Sequence, residues 1–268
     1  LLPRLPQKSR SWIEGYWKDM DVSFQLSDLS RSVFATLGVK GCEDSIGLGS
    51  NTNLRECILL VDGFGKNAVD GFGSRFPNLA KLNYHQTLTA TFPSTTASSL
   101  TSLGTGRCVG EHGMVGYTMR VPNSGTPERI LNALKWDERV DPYLWQPKET
   151  FFEIGAKNGI QVTHVAAKRY EDSGFTRAVF RGANYRGANI TPDLVKETVL
   201  ALEKTPSFVY LYVNDLDVAG HVAGVGSDKW LDALRGIDDL FGQLIEKLPK
   251  GARVWITGDH GMIDRKST

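Results

Sequence analysis

The sequence has almost no charge in excess: 31 Lys and Arg against 30 Asp and Glu leave a formal net charge of +1. It therefore offers no global basic field to hold a nucleic-acid backbone or an anionic membrane. Cysteine is scarce too. Cys42, Cys57 and Cys108 are an odd number with no CxxC pair, which argues against a disulfide framework or a structural zinc knuckle. No apolar run approaches the length of a membrane span, and neither an internal repeat nor a low-complexity tract is present. Leu1 to Arg10 contain no apolar stretch of the kind a secretory signal needs. A mature protein can already have lost one, but this lack and the cysteine usage set the expectation of a cytoplasmic chain. What remains is 268 residues, 41% hydrophobic and 23% charged, enough for one large globular domain or two small ones.

Apolar or β-branched runs mark three buried strands, Cys57 to Val61 (CILLV), Phe208 to Val213 (FVYLYV) and Arg253 to Thr257 (RVWIT). Such runs suit strands covered on both faces. Gln161 to Ala166 reads as a fourth. The clearest helix is Ser227 to Leu248. Ser227 is a candidate N-cap, Leu234, Ile237, Phe241, Leu244 and Leu248 recur at spacings of three and four, and Pro249 with Gly251 ends the run. Thr191 to Glu203, with Pro192 in its first turn, and Thr150 to Lys157 are two further helices. Strands alternating with helices predict a mostly parallel sheet. The stretch 113–148 has no steady period and reads as an irregular excursion over one end of the sheet. Leu1 to Asn53 are weakly patterned, suited to wrapping the domain or supplying an edge element.

The chemistry collects where the three strands stop. CILLV runs into Asp62-Gly63, FVYLYV into Asn214-Asp215-Leu216-Asp217 with His221 four residues on, and RVWIT into Gly258-Asp259-His260-Gly261. The carboxyl ends of parallel strands line one edge, where ligand sites form. Two His and three or four Asp at that edge make an N/O donor set suited to zinc, manganese or iron. Any single Asp after a strand is more often turn or cap chemistry; three such strand ends in one domain are harder to explain that way.

Phe92 to Gly106 (FPSTTASSLTSLGTG) adds a nucleophile candidate. After the Pro93-Ser94 turn, Thr95 or Thr96 opens a run of small residues that can be helical to Gly104. A hydroxyl there sits beside free backbone N–H groups able to hold phosphate oxygens. The plainer alternative is an N-cap on a small-residue helix packed closely on the sheet.

Together LLVDGFG, FPSTTASSLTSLGTG followed by GEHGM, YVNDLDVAGH and ITGDHGM resemble the alkaline phosphatase superfamily, in its type I phosphodiesterase/nucleotide pyrophosphatase branch. The resemblance spans roughly Cys57 to Asp264. It implies a three-layer α/β/α sandwich around a mainly parallel sheet, and a single catalytic domain over 1–268. It also implies a metal-dependent phosphodiesterase or nucleotide pyrophosphatase that works through a phospho-threonine. Two divalent ions, usually zinc, are implied at the strand ends. Asp62, Asp259 and His260 map to one ion, and Asp217 with His221 to the other, leaving Asp215 a neighbour. The family nucleophile lies nine residues before the Thr of Thr105-Gly106, at Thr96, with Thr95 the fallback. A small phosphate ester, with a nucleotide as one candidate, is the implied substrate.

Two departures stand out. The family takes a further His ligand for the second ion from well beyond Asp-His-Gly, whereas this sequence stops at Thr268. The fold is therefore expected to lack its last part and the second site to be incomplete. The diesterase branch also has an Asn after the His-Gly that follows the nucleophile helix; Tyr117 occupies that place and becomes the substrate-binding candidate. Monoester or phosphonate hydrolysis on the same scaffold, or a non-catalytic metal- or ligand-binding protein, are the alternatives these departures keep open. His112 reads as a structural group, Trp136 and Trp145 as small-core anchors, and Cys57 as an inert buried thiol. The Pro-Ser-Arg pattern that sulfatases place after a nucleophilic Cys is absent.

Overall fold

Runs that are apolar on both faces can be stable only when covered on both, and the strands are covered by helices in two layers. The computed structural model describes residues 24–263; the first ten residues of the chain lie outside that range. In chain order the elements are helix α1 (Leu26–Thr36), strand β1 (Arg55–Val61), helices α2 (Lys66–Phe72), α3 (Thr96–Thr105) and α4 (Val109–His112), strands β2 (Thr118–Arg120) and β3 (Ile130–Asn132), and helices α5 (Pro142–Trp145) and α6 (Phe151–Lys157). Then come β4 (Gln161–Ala166), α7 (Gly174–Val179), β5 (Asn184–Gly187), α8 (Thr191–Leu202), β6 (Ser207–Val213), α9 (Asp215–Ala223), α10 (Asp228–Lys247) and β7 (Arg253–Thr257). Five strands form one sheet in the order β5-β4-β6-β1-β7. Every pairing in it is parallel.

Side chains of β1 alternate between two cores. Ile58 and Leu60 pack with Phe34 of α1, Leu100 and Leu103 of α3, and Phe151 and Phe152 of α6. Cys57, Leu59 and Val61 face the other way, against Leu194 and Leu202 of α8 and Leu234, Ile237 and Leu244 of α10. Burying one such Leu or Ile contributes roughly 1.5–3 kcal/mol. α10 is held where its period predicts: the Ser227 hydroxyl accepts the Trp230 N–H at 3.2 Å, and Leu248 is its C-cap.

Three departures from the sequence reading have local causes. β7 is only half-buried along its length, because among the described residues it has one neighbour, β1, and it borders a groove of about 1260 Å³ that reaches Asp259 and His260. The stretch 113–148 is less irregular than its period suggests. It holds the antiparallel β2–β3 ribbon and α5, and plants Met114, Leu131 and Trp136 in the same core as Ile58. Three-residue strands are too short to show alternation. The segment before β1, weakly patterned in sequence, supplies over its described residues 24–53 a helix, α1, whose buried face carries Leu29, Val33 and Phe34.

A buried carboxylate locks β7 to the centre. Glu56 of β1 accepts bonds from the Arg253 Nε and Trp255 Nε1 of β7, both at 2.8 Å, from Thr36 Oγ1 at 2.9 Å and from Asn51 Nδ2 at 2.8 Å. Four donor side chains, Arg253 through two of its nitrogens, surround this buried anion and offset the cost of taking it from water.

Candidate active site

β1, β6 and β7 are adjacent in the sheet, so their carboxyl ends deliver Asp62, Asp217 and Asp259-His260 to one place. The approach is close enough to require glycine. A Cβ on Gly65 would stand 2.4 Å from the Gly261 Cα, and one on Gly258 would stand 2.3 Å from the Phe64 carbonyl oxygen. The DGFG and GDHG turns thus pack backbone against backbone. Gly63 turns the chain at φ +75°.

Asp62 and Asp259 are 2% and 1% exposed. Each is tethered through one oxygen. Asp62 Oδ2 accepts the Tyr212 hydroxyl at 2.6 Å. Asp259 Oδ1 accepts the Gly63 N–H at 3.1 Å and the His260 N–H at 2.9 Å. The other oxygens are turned inward. Asp62 Oδ1 is 3.4 Å and Asp259 Oδ2 3.5 Å from His260 Nε2. Asp259 Oδ2 and Asp217 Oδ1 are buried without a hydrogen-bond donor. Burial, first, and the charges of Asp259 and Asp217 push the Asp62 carboxyl well above the usual carboxylate range; burial pushes Asp259 up to about 6. Acids crowded in this way favour a cation between them.

Asp62, Asp217 and His260 each offer one ligand atom, all within 4.8 Å of one another. These two carboxylates and the imidazole, with Asp259 Oδ2 as a further undonated buried oxygen beside them, suit a hard-to-borderline divalent ion.

Thr96 stands at the same point. Its hydroxyl donates to Asp62 Oδ1 at 3.4 Å and lies 3.3 Å from His260 Nε2. Thr95, the other candidate, is the N-cap of α3, its hydroxyl accepting the Ser98 N–H at 3.3 Å. The cap and the inward-facing hydroxyl are thus consecutive residues, and both sequence readings of this segment describe part of it. Ala97 to Thr105 are all buried, and a Cβ on Gly104 would meet the Val179 carbonyl at 2.7 Å.

The remaining candidates make no described hydrogen bond or ion pair with Asp62, Thr96 or His260. His221 is one turn after Asp217 on α9, Nε2 3.4 Å from Asp217 Oδ1, with its side chain 73% exposed. Asp215 is exposed in the first turn of α9. Tyr117 is exposed immediately before β2, tied through its carbonyl to the Ala133 N–H. His112 is buried, its Nδ1 accepting the Met114 N–H at 3.1 Å and its Nε2 lying 2.9 Å from Ser102 Oγ. Burial pulls it down to about 4, so it is a neutral structural bridge from α3 to the following turn. Trp136 Nε1 donates to the Val140 carbonyl and its ring covers Gly174, as a core anchor does. Burial raises the Cys57 thiol far above its ordinary range, which leaves it inert. Tyr212 was the residue the sequence hid. A hydroxyl-bearing aromatic two positions before the post-strand Asn214 was the available signal.

The type I phosphodiesterase/nucleotide pyrophosphatase pattern matches residues 57–267, a span that includes every residue of this cluster. The chain belongs to that family. An uncharacterised pyrophosphatase/phosphodiesterase of Schizosaccharomyces pombe is 24% identical over 216 residues, which is 76% of this chain and 44% of that protein. Ectonucleotide pyrophosphatase/phosphodiesterase family member 1 of Mus musculus is 25% identical over 234 residues, 76% of this chain and 24% of the mouse protein. The chain therefore spans less than half the length of these two relatives. Among solved structures, murine ectonucleotide pyrophosphatase/phosphodiesterase 5, as an inactive variant in complex with AMP, superposes with a TM-score of 0.57 at 17% identity over 77% of this chain and 57% of that one. The same protein without that qualification gives 0.55. These likenesses establish a shared alkaline phosphatase-like fold. Among the described residues, no helix is long and apolar enough to cross a membrane.

Proposed function

We infer that the protein hydrolyses phosphodiester or pyrophosphate bonds with Thr96 as nucleophile. The observation that carries this reading is the Thr96 hydroxyl, 3.4 Å from Asp62 Oδ1 and 3.3 Å from His260 Nε2, at the first residue of a ten-residue helix. The N–H groups of Thr96 and Ala97 precede the first intrahelical bonds and are available to phosphate oxygens. The Thr96 O–H points at Asp62 Oδ1. On attack that O–H bond breaks and its proton passes to the carboxylate or to water. The Thr96 oxygen forms the new P–O bond as the P–O bond to the ester or anhydride oxygen breaks. Water then splits the phospho-threonine, one of its protons leaving with the released phosphate and one returning to Thr96. Divalent ions bound by Asp62, Asp259 and His260, and by Asp217 and His221, would supply Lewis-acid charge to the attacking and leaving oxygens and lower the pKa of the Thr96 hydroxyl. Zinc, manganese and iron all suit these donors. Tyr117, with a hydroxyl in place of an amide, offers one hydrogen bond to a phosphate oxygen. The family, and the AMP held by a protein of the same fold, favour a nucleotide as the class of substrate.

The test is turnover of a bis-aryl phosphodiester and of the matching aryl monoester with zinc or manganese present. Diester cleavage that disappears in Thr96→Ala, with unchanged circular dichroism and a phosphoryl group trapped on Thr96 in acid-quenched wild type, is the expected result. Much faster monoester cleavage would move the activity to a phosphomonoesterase. Full activity of Thr96→Ala would remove the mechanism.

A further inference from the structure

Beside the acidic cluster, the same sheet edge carries a cation, Arg169, that no carboxylate among the described residues neutralises. Lys168 to Tyr170 follow β4, which pairs with β6. Arg169 is exposed, yet it is not loose. Its guanidinium lies over the Tyr170 ring, 4.8 Å from the centroid. One of its terminal nitrogens, Nη2, donates to the Tyr170 hydroxyl at 2.9 Å and to Asn214 Oδ1 at 3.4 Å. Asn214 closes the loop by donating its Nδ2 to the same Tyr170 hydroxyl at 3.1 Å. Both hydrogens of Nη2 are thus engaged, while Nε and Nη1 have no described partner. Among the described residues, no Asp or Glu is within ion-pair distance of Arg169, nor of Arg31, Arg55 and Arg75; of these, Arg31 and Arg55 donate to main-chain carbonyls instead, and Arg75 lies over the Phe72 ring.

A short chain of contacts links this guanidinium to the reacting centre. The Tyr170 ring packs against the Tyr212 ring, centroids 6.0 Å apart, and the Tyr212 hydroxyl donates to Asp62 Oδ2 at 2.6 Å. Asn214, in turn, is the N-cap of α9, which carries Asp217. An arginine held in place with free donors has already lost much of the side-chain entropy that anion binding would otherwise cost. Its planar fork suits phosphate.

We propose that Arg169, fixed by Tyr170 and Asn214, is the subsite for a distal phosphate of a polyphosphate-bearing substrate, and so favours esters that carry a second anionic phosphate over esters with neutral arms. The proposal rests on the hydrolase reading above, and two kinds of measurement keep their failures apart. In kinetics, the ratio of kcat/KM for ATP to that for bis(4-nitrophenyl) phosphate falls at least tenfold in Arg169→Ala. Arg169→Lys, which keeps the charge and loses the fork, lies between. Arg235→Ala, an equal loss of charge on α10, does not lower the ratio. In binding, calorimetry with α,β-methylene-ATP, whose P–C–P link resists cleavage, shows at least tenfold weaker binding to Arg169→Ala, while AMP shows a smaller loss. If wild type cleaves neither ester, the hydrolase reading fails and the calorimetry alone decides the subsite. An unchanged kinetic ratio, a ratio lowered as much by Arg235→Ala, equal losses for the two calorimetric ligands, or no binding of α,β-methylene-ATP by wild type would each overturn it.

Discussion

The acidic cluster has a closed half and an open half. Asp62 and Asp259 sit at the ends of β1 and β7, almost fully buried, each with one oxygen fixed by Tyr212, Gly63 or His260 and one turned inward. Asp217 and His221 ride on α9: Asp217 reaches inward, its ligand atom within 4.8 Å of those of Asp62 and His260, while His221 is 73% exposed and its described polar contact is Asp217. Backbone geometry sets the first half and a helix turn presents the second. Strand ends hold ligands without side-chain entropy left to lose, whereas an exposed imidazole must be ordered by whatever it binds.

The sharpest way to break this comparison is at the hydroxyl the closed half surrounds. Thr96→Ala should lower kcat by on the order of 10³-fold or more, with Thr96→Ser retaining part of the rate; a rate within tenfold of wild type would detach the cluster from catalysis. Next is the anchor beneath it. Glu56→Leu leaves Arg253 and the Trp255 N–H without their acceptor, and denaturant unfolding should show a loss of about 3–5 kcal/mol. A smaller loss would mean that β7 is held without that carboxylate.

Metal affinity separates the two halves directly. Tyr212→Phe frees Asp62 Oδ2 and should weaken zinc binding by about 10–100-fold in competition titrations. His221→Ala should affect only the weaker of two binding events. Equal losses from the two variants would erase the distinction.

pH gives the smallest but most specific effect. Asp259 is raised from an ordinary 3.8 to about 6, and Asp62 is raised as well. Both folded values exceed the unfolded ones, so these groups contribute stability that is present below pH ~3.8 and lost as pH rises through about 6. The metal-free protein should therefore lose a few degrees of Tm from these groups between pH 4 and 7, as measured by scanning calorimetry. Asp259→Asn should flatten that slope, and added zinc should reverse it. A slope unchanged in Asp259→Asn would place the titration elsewhere.

How legible each part was follows from length and neighbours. The runs at Cys57 and Phe208 are apolar almost without break, the run at Arg253 is apolar between its two end residues, and β1, β6 and β7 lie there. Their terminal Asp residues, read against the carboxyl-edge rule, pointed to a shared edge. β5 escaped because Asn184-Tyr185-Arg186-Gly187 is short and polar, paired among the described residues with β4 alone. α9 escaped because its Asp and His drew attention to spacing, although Asp217 and His221 four apart are also one helical turn apart. α1 is rich in Ser, and two of these, Ser30 and Ser32, are buried; Ser30 donates to the Leu103 carbonyl of α3. Such polar packing leaves no hydrophobic signature. The same holds for Tyr212, whose role depends on a partner 150 residues away.

Anomalous scattering from crystals of the zinc-loaded protein is the most direct measurement. The expected result is a peak about 2.0–2.2 Å from Asp62 Oδ1 and His260 Nε2, touching the Thr96 hydroxyl. A map with zinc bound elsewhere, or with no peak among these three side chains, would contradict the shared-cation site.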